Sequence, residues 1–161
     1  MKSIREHIKK MVVNVGLGKF RNLSSFEDKV LPEVVKEIAL ITGQKPSYRP
    51  AKKSIAGFKT RQGDTIGLQV TLRGKRMEDF FARLINFVLP RVKDFRGLDV
   101  RNVDHDGNLN IGFKDQFVFP EIVPEKASVN FGLQVTFVTD LKNREKAIDF
   151  YRRVLVPLKN K

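Results

Sequence analysis

Apolar and polar residues alternate with a period of two in four short stretches of the chain. Val13, Val15 and Leu17 alternate with Asn14 and Gly16; Ile66, Leu68, Val70 and Leu72 with Gly67, Gln69, Thr71 and Arg73. Phe131, Leu133, Val135 and Phe137 alternate with Gly132, Gln134 and Thr136, and Leu109, Ile111 and Phe113 form a weaker fourth case after an Asp106–Gly107 turn. Successive strand side chains point to opposite faces, so each stretch reads as a strand with one greasy and one polar face. Three other stretches carry a helical stripe. Phe26, Val30, Leu31, Val34, Val35, Ile38 and Ile41 follow Ser24–Ser–Phe–Glu27, which reads as a capping box, and stop at Gly43. Met77, Phe80, Phe81, Leu84, Ile85, Val88 and Leu89 form the second stripe, which Pro90 ends. The third starts near Asp140 and buries Ala147, Ile148, Tyr151, Val154 and Leu155. The expected fold class is α+β: an antiparallel sheet with helices packed on one face and the other face open.

That open face would display Asn14, Gln69, Thr71, Gln134 and Thr136, thinned by Gly16, Gly67 and Gly132. Polar alternation by itself fits an ordinary solvated sheet. Charge changes the picture. The 161 residues hold 31 Lys and Arg against 18 Asp and Glu, a net charge of +13, and such an excess points to a polyanionic partner. Positions 45–96 alone carry 13 basic and 4 acidic residues, so the charge is a patch in near-balanced flanks. Amides and hydroxyls on a flat face can approach a nucleic-acid backbone and bond to sugars or base edges.

Other chemistries find little support. Cysteine is absent, which excludes disulfides, thiolate metal sites and thiol nucleophiles. No apolar run approaches the roughly 20 residues that span a bilayer, so no membrane is expected among the partners. The opening lacks the apolar core of a signal peptide. Gly16–Leu–Gly18 begins a dinucleotide fingerprint, but Arg21 stands where its third glycine belongs. Asp104–His105–Asp106 beside Gly107–Asn108 reads as a polar hairpin tip, since only His7 could add a second imidazole to a metal site. Phe113, Phe117 and Phe119 have the spacing of an RNA-recognition-motif strand without its glycine-rich basic opening, and read as core or loop-anchor aromatics. No catalytic residue, metal or cofactor is expected.

The segment from Lys52 to Gly63 has neither period. Lys52, Lys53, Ser54, Gly57, Phe58, Lys59 and Arg61 combine charge, a hydroxyl, glycine and an aromatic, as suits a mobile loop that reaches phosphate or stacks on a base; a solvated basic loop has the same composition.

Several blocks together carry a resemblance. Val12–Val–Asn–Val–Gly–Leu–Gly18, Leu40–Ile–Thr–Gly–Gln–Lys–Pro46, Lys52–Lys–Ser–Ile–Ala–Gly–Phe58, Val70–Thr–Leu–Arg–Gly–Lys–Arg–Met77, Arg83–Leu–Ile–Asn86, Leu89–Pro–Arg–Val–Lys–Asp–Phe–Arg–Gly97 and Phe119–Pro–Glu–Ile122 resemble the bacterial large-subunit ribosomal protein family "L-five". The resemblance implies a 5S rRNA-binding constituent of the central protuberance, in contact with large-subunit rRNA and other central-protuberance proteins. It implies that the open sheet face docks on 5S rRNA, that the basic loop points toward P-site tRNA, and that another edge touches a small-subunit head protein. By resemblance Asn14, Thr42, Gln44, Lys45 and Thr71 fall in RNA-facing blocks, and Gln69, Arg73 and Gln134 join them on the same face; Lys53 to Arg61 falls in the tRNA-side loop. The chain is expected to be one domain, lacking the helical segment that members of that family carry before the first strand, with a longer and more basic tail from Val154 to Lys161. A stand-alone RNA-binding or assembly factor of the same fold is the alternative.

Overall fold

The computed structural model describes residues 4–159. Five antiparallel strands form one sheet: β1 (Ile8–Gly16), β2 (Ser47–Pro50), β3 (Thr65–Leu72), β4 (Leu109–Phe113) and β5 (Leu133–Thr139), in the order β2-β3-β1-β5-β4. Helices α1 (Leu31–Thr42), α2 (Gly74–Arg83), the short α3 (Leu89–Arg91) and α4 (Arg144–Arg153) complete the architecture. The α+β expectation holds.

The alternation sorts as the period demands. Met11, Val13 and Val15 join Leu68, Val70, Leu72, Ile111, Leu133, Val135 and Phe137 in a core shared with Val34, Ile38, Phe80, Leu84, Phe150 and Tyr151 from the helices. Phe81 and Tyr151 both pack on the Phe137 ring, with centroids 5.6 and 6.3 Å away. Phe113 and Phe119 meet edge to face at 5.5 Å, so two of the three aromatics of the 113–119 segment are core.

Five expectations about the elements need correction. The capping box at Ser24 does not form: the chain enters α1 through a π turn, Phe26–Val30, capped by Ser25 without a side-chain bond. Proline lacks an N–H and sits without cost only in a first turn, so Pro32 sets the start of α1. Pro90 likewise does not end the second stripe. A π turn over Leu84–Val88 resets the helix, and Pro90 falls in the first turn of α3. The third helix begins at Asn143, whose side chain accepts from the Glu145 and Lys146 N–H groups at 2.9 and 3.1 Å. Its stripe uses Phe150, whereas Leu155 is 71% exposed because the helix has ended and φ there is +67°. Finally, β5 starts at Leu133, two residues after the buried Phe131, and β2 carried no periodic signal. As an edge strand β2 tolerates its terminal Pro50.

One buried polar cluster ties the β4–β5 connection to α1. Gln116, fully buried, donates to the Val129 carbonyl at 2.7 Å and to Glu37 at 3.3 Å, and accepts from the Phe131 N–H at 3.0 Å. Burial raises the Glu37 pKa above the ordinary carboxylate value, opposed by the Gln116 hydrogen bond. One turn earlier Glu33 accepts from the Ser128 N–H at 2.6 Å.

Candidate nucleic-acid interface

The strand registers bring together residues far apart in sequence. Asn14 on β1 lies opposite Gln69 on β3 and Gln134 on β5; Gln69 faces Ser47 on β2, and Gln134 faces Gly112 on β4. One row of the open face therefore reads Ser47, Gln69, Asn14, Gln134, Gly112 across all five strands. A second row reads Thr71, Val12, Thr136, Asn110. Residues directly opposite in an antiparallel pair have Cβ atoms about 5 Å apart, so the amides form a continuous strip.

The strip is partly pre-organised. Arg49 donates to the Gln69 side-chain oxygen, and the Ser47 hydroxyl to the Gln69 carbonyl at 3.0 Å. Asn110 Oδ1 accepts from Gln134 Nε2 at 3.0 Å and from Thr136 Oγ1 at 2.7 Å. Sequence alternation missed Arg49 and Asn110; the first lies on an aperiodic strand, and the second in the weakest of the four patterns. The glycines divide in role. Gly16 and Gly112 have open space where a Cβ would stand and do flatten the face. Gly67 instead is needed inside the sheet, since a Cβ there would come 2.9 Å from the Val15 carbonyl, and Gly132 closes against the Phe113 carbonyl in the same way before β5 begins.

At the end of α1 the expected group separates. Thr42 is buried rather than RNA-facing. Its hydroxyl lies 2.7 Å from the Ile38 carbonyl and 2.9 Å from that of Gln44, donating to one of them, and it accepts from the Gln44 N–H at 3.3 Å. A β-hydroxyl in a last helical turn satisfies backbone groups locally, which holds the turn to Gln44. Gln44 in turn donates to the Thr71 carbonyl at 3.3 Å and accepts from Arg76 at 3.4 Å, which fixes its amide at the margin of the open face. Lys45 and Arg73 are exposed and make no ion pair among the described residues.

The basic segment is a structured hairpin rather than a featureless loop. Its base is closed by backbone bonds from Ala51 N–H to the Asp64 carbonyl at 2.8 Å and from Gly63 N–H to the Ala51 carbonyl at 3.0 Å, and its tip by reciprocal bonds between Ile55 and Thr60. The Ser54 hydroxyl accepts from the Gln62 N–H at 2.9 Å. Lys52, Lys53, Gly57, Lys59 and Arg61 are exposed, and the Phe58 ring, 77% exposed, projects from the tip. Lys59 holds a positive φ of +50°. Ile55, Phe58 and Ile66 line a groove of about 980 Å³ whose rim carries Lys19, Lys52, Lys53 and Lys59.

One carboxylate anchors this hairpin. Asp64 accepts from the Arg21 guanidinium at 2.5 Å and from the Arg61 N–H at 2.6 Å, and these bonds hold its pKa below the ordinary value of 3.8. A depressed carboxylate stabilises the folded arrangement above its unfolded pKa and loses that contribution as pH falls through the folded value. The base of the hairpin is therefore expected to loosen only below about pH 4, with faster exchange of the Arg61 and Gly63 amides while core amides stay protected. Amide exchange between pH 6 and pH 3 checks this; equal protection of Arg61 at both ends would refute the anchor.

A half-solvated sheet with a cross-strand amide strip and a cation-rimmed aromatic hairpin has the chemistry of a surface that a structural RNA-binding protein presents. Family models agree: that of ribosomal protein L5 matches residues 5–61, and that of the C-terminus of the same ribosomal family matches residues 65–158. The chain is 43% identical over 150 residues to large ribosomal subunit protein uL5 of Halothermothrix orenii, covering 93% of this chain and 82% of that one. It is 46% identical over 154 residues to the uL5 protein of Geotalea daltonii, covering 95% and 83%. The chain belongs to the ribosomal protein L5 family. It is a structural, RNA-binding constituent of the large ribosomal subunit and is ribosome-bound in the cytoplasm.

Proposed function

We propose that within the large subunit this chain binds 5S rRNA through the open sheet face, helps anchor it in the central protuberance, and presents the 51–64 hairpin to P-site tRNA. The observation that carries this reading is the strip Ser47, Gln69, Asn14, Gln134 and Gly112, which crosses all five strands on the open face. Gln44, Lys45, Thr71 and Arg73 extend it at the α1 end, and Thr42 supports Gln44 from beneath. Neutral amides and hydroxyls suit sugar and base edges, while the flanking cations suit phosphates. The hairpin stands at the β2–β3 connection beyond the strip, so its exposed Phe58 and its cations serve a second nucleic acid. A further edge contacts a small-subunit head protein and neighbouring central-protuberance proteins.

Isolated 5S rRNA and assembled ribosomes test the two surfaces in one design. Binding to 5S rRNA should weaken steeply with salt, each phosphate contact adding somewhat under one to the log–log slope. Replacing Lys53, Lys59 and Arg61 together with serine should leave 5S rRNA binding within a few-fold while ribosomes carrying the variant release P-site tRNA more readily, the more so at higher ionic strength. A flat salt dependence, or loss of 5S rRNA binding with normal tRNA retention in the triple variant, would overturn this division. A chain that fails to co-sediment with large subunits in high salt would be a stand-alone factor.

A further inference from the structure

A second groove lies on the opposite margin of the sheet from the hairpin. It lies at the edge strand β4 and is lined by Gly112, Phe113, Lys114 and Phe117 together with Arg91 at the end of α3 and Lys93 just after it, with a volume of about 640 Å³. Phe113 is buried and Phe117 half-buried, so the floor is aromatic. Arg91, Lys93 and Lys114 are exposed, and none makes a side-chain hydrogen bond or ion pair among the described residues. The two acidic groups of the groove differ. Asp115 is engaged by the Asn130 amide at 2.6 Å, and Asp94 sits in a turn at φ +56°.

Three properties make this a built feature. The segment carrying Arg91 and Lys93 is turned by bonds from the Val92 N–H to the Leu89 carbonyl and from the Phe95 N–H to the Val92 carbonyl, both at 3.2 Å, and is tied beyond them at Leu98, whose N–H donates to the Pro157 carbonyl at 2.7 Å. The groove opens at Gly112, where a Cβ would meet no atom within 4 Å, so a backbone can approach the edge closely. Gly112 is also the last member of the amide strip, so the groove adjoins the open face.

We infer that this groove holds a single-stranded or looped RNA segment, its phosphates on Arg91, Lys93 and Lys114 and one base against the Phe117 ring. Unpaired cations around an aromatic floor match the two features of such a segment, a phosphate backbone and a stackable base. The site adjoins the amide strip at Gly112, but its cations and aromatic floor lie outside both surfaces proposed above, and it rests only on the chain's being an RNA-binding ribosomal constituent. It lets the RNA on the amide strip leave the sheet at its β4 edge, since the two share Gly112.

The test uses the full chain, isotope-labelled for NMR, and a single-stranded oligoribonucleotide of eight mixed-sequence residues. The oligonucleotide should shift the amides of Gly112, Lys114 and Phe117. Arg91→Gln, Lys93→Gln and Lys114→Gln combined should abolish those shifts and lower the log–log salt slope by about 2, at roughly 0.7 per phosphate on a single strand. Phe117→Leu keeps the apolar volume and should weaken binding several-fold by removing the stacking face. Asn14→Ala, which tests the strip, should leave the Gly112 and Lys114 shifts intact, so failure of either proposal shows by itself. Polyglutamate of equal charge serves as the protein-like polyanion. Equal shifts with polyglutamate, or an unchanged slope in the triple variant, would overturn the assignment to RNA.

Discussion

Replacing Gly107 with alanine is expected to destabilise the fold by about 3 kcal/mol or more, the sum of a left-handed backbone penalty and core overpacking. Gly107 holds φ at +82°, and a Cβ there would stand 2.4 Å from the Leu141 carbonyl and 2.9 Å from the Ala147 Cβ. Neither neighbour is a flexible side chain end. Leu141 is backbone between β5 and α4, and Ala147 is a buried position of α4 itself. The same residue's carbonyl accepts the Tyr151 hydroxyl at 2.8 Å, in surroundings whose burial raises the tyrosine pKa well above its ordinary value of 10.0. A shift of the turn to admit the methyl group therefore strands a buried hydroxyl as well, at a further cost of about 1–3 kcal/mol. For a chain of this length each kcal/mol moves the midpoint by a few degrees, so thermal melting should fall by roughly 10 °C. A fall of only a degree or two would show that the Asp106–Gly107 turn relaxes freely and does not brace α4.

Asn14→Ala combined with Gln134→Ala should weaken 5S rRNA binding by roughly 10- to 100-fold for each substitution, since an unmet polar partner at an interface costs about 1–3 kcal/mol. Asn14 is the middle of the strip, with Gln69 on one side and Gln134 on the other, so the pair removes two adjacent amides. Both lie on the face away from the core, and exposed substitutions shift stability by less than about 0.5 kcal/mol. Melting should stay nearly constant while affinity falls. Titration of 5S rRNA beside a thermal scan of the same preparation separates the two effects. Should the double variant melt early, or bind with unchanged affinity, the strip is a structural feature and the RNA surface lies elsewhere.

The division between local and tertiary information runs through particular residues. A strand repeats every two residues and a helix every 3.6, so the sides to which Val13 and Asn14, or Met77 and Lys75, point were settled by their neighbours in the chain. The core face and the open face were legible for that reason, and the polar tip at Asp104–Asn108 because Asp, Gly and Asn favour turns. Charge density marked the middle of the chain, and the ordered blocks from Val12 to Ile122 marked the family. Local pattern says nothing about partners. That Asn14 stands between Gln69 and Gln134 follows from the order β2-β3-β1-β5-β4, in which residues more than 50 positions apart share backbone hydrogen bonds. Thr42 carried the same polar signal as Thr71, yet its hydroxyl turned back onto the helix end, where buried carbonyls needed a donor. Leu155 carried the same apolar signal as Val154, yet a left-handed residue after α4 sent it outward. Arg91, Lys93 and Lys114 meet only in the folded chain, where the segment around α3 lies beside the end of β4. Hydrophobic period is a property of each segment alone, whereas register, edge and groove depend on burial and backbone pairing satisfied by the whole chain at once.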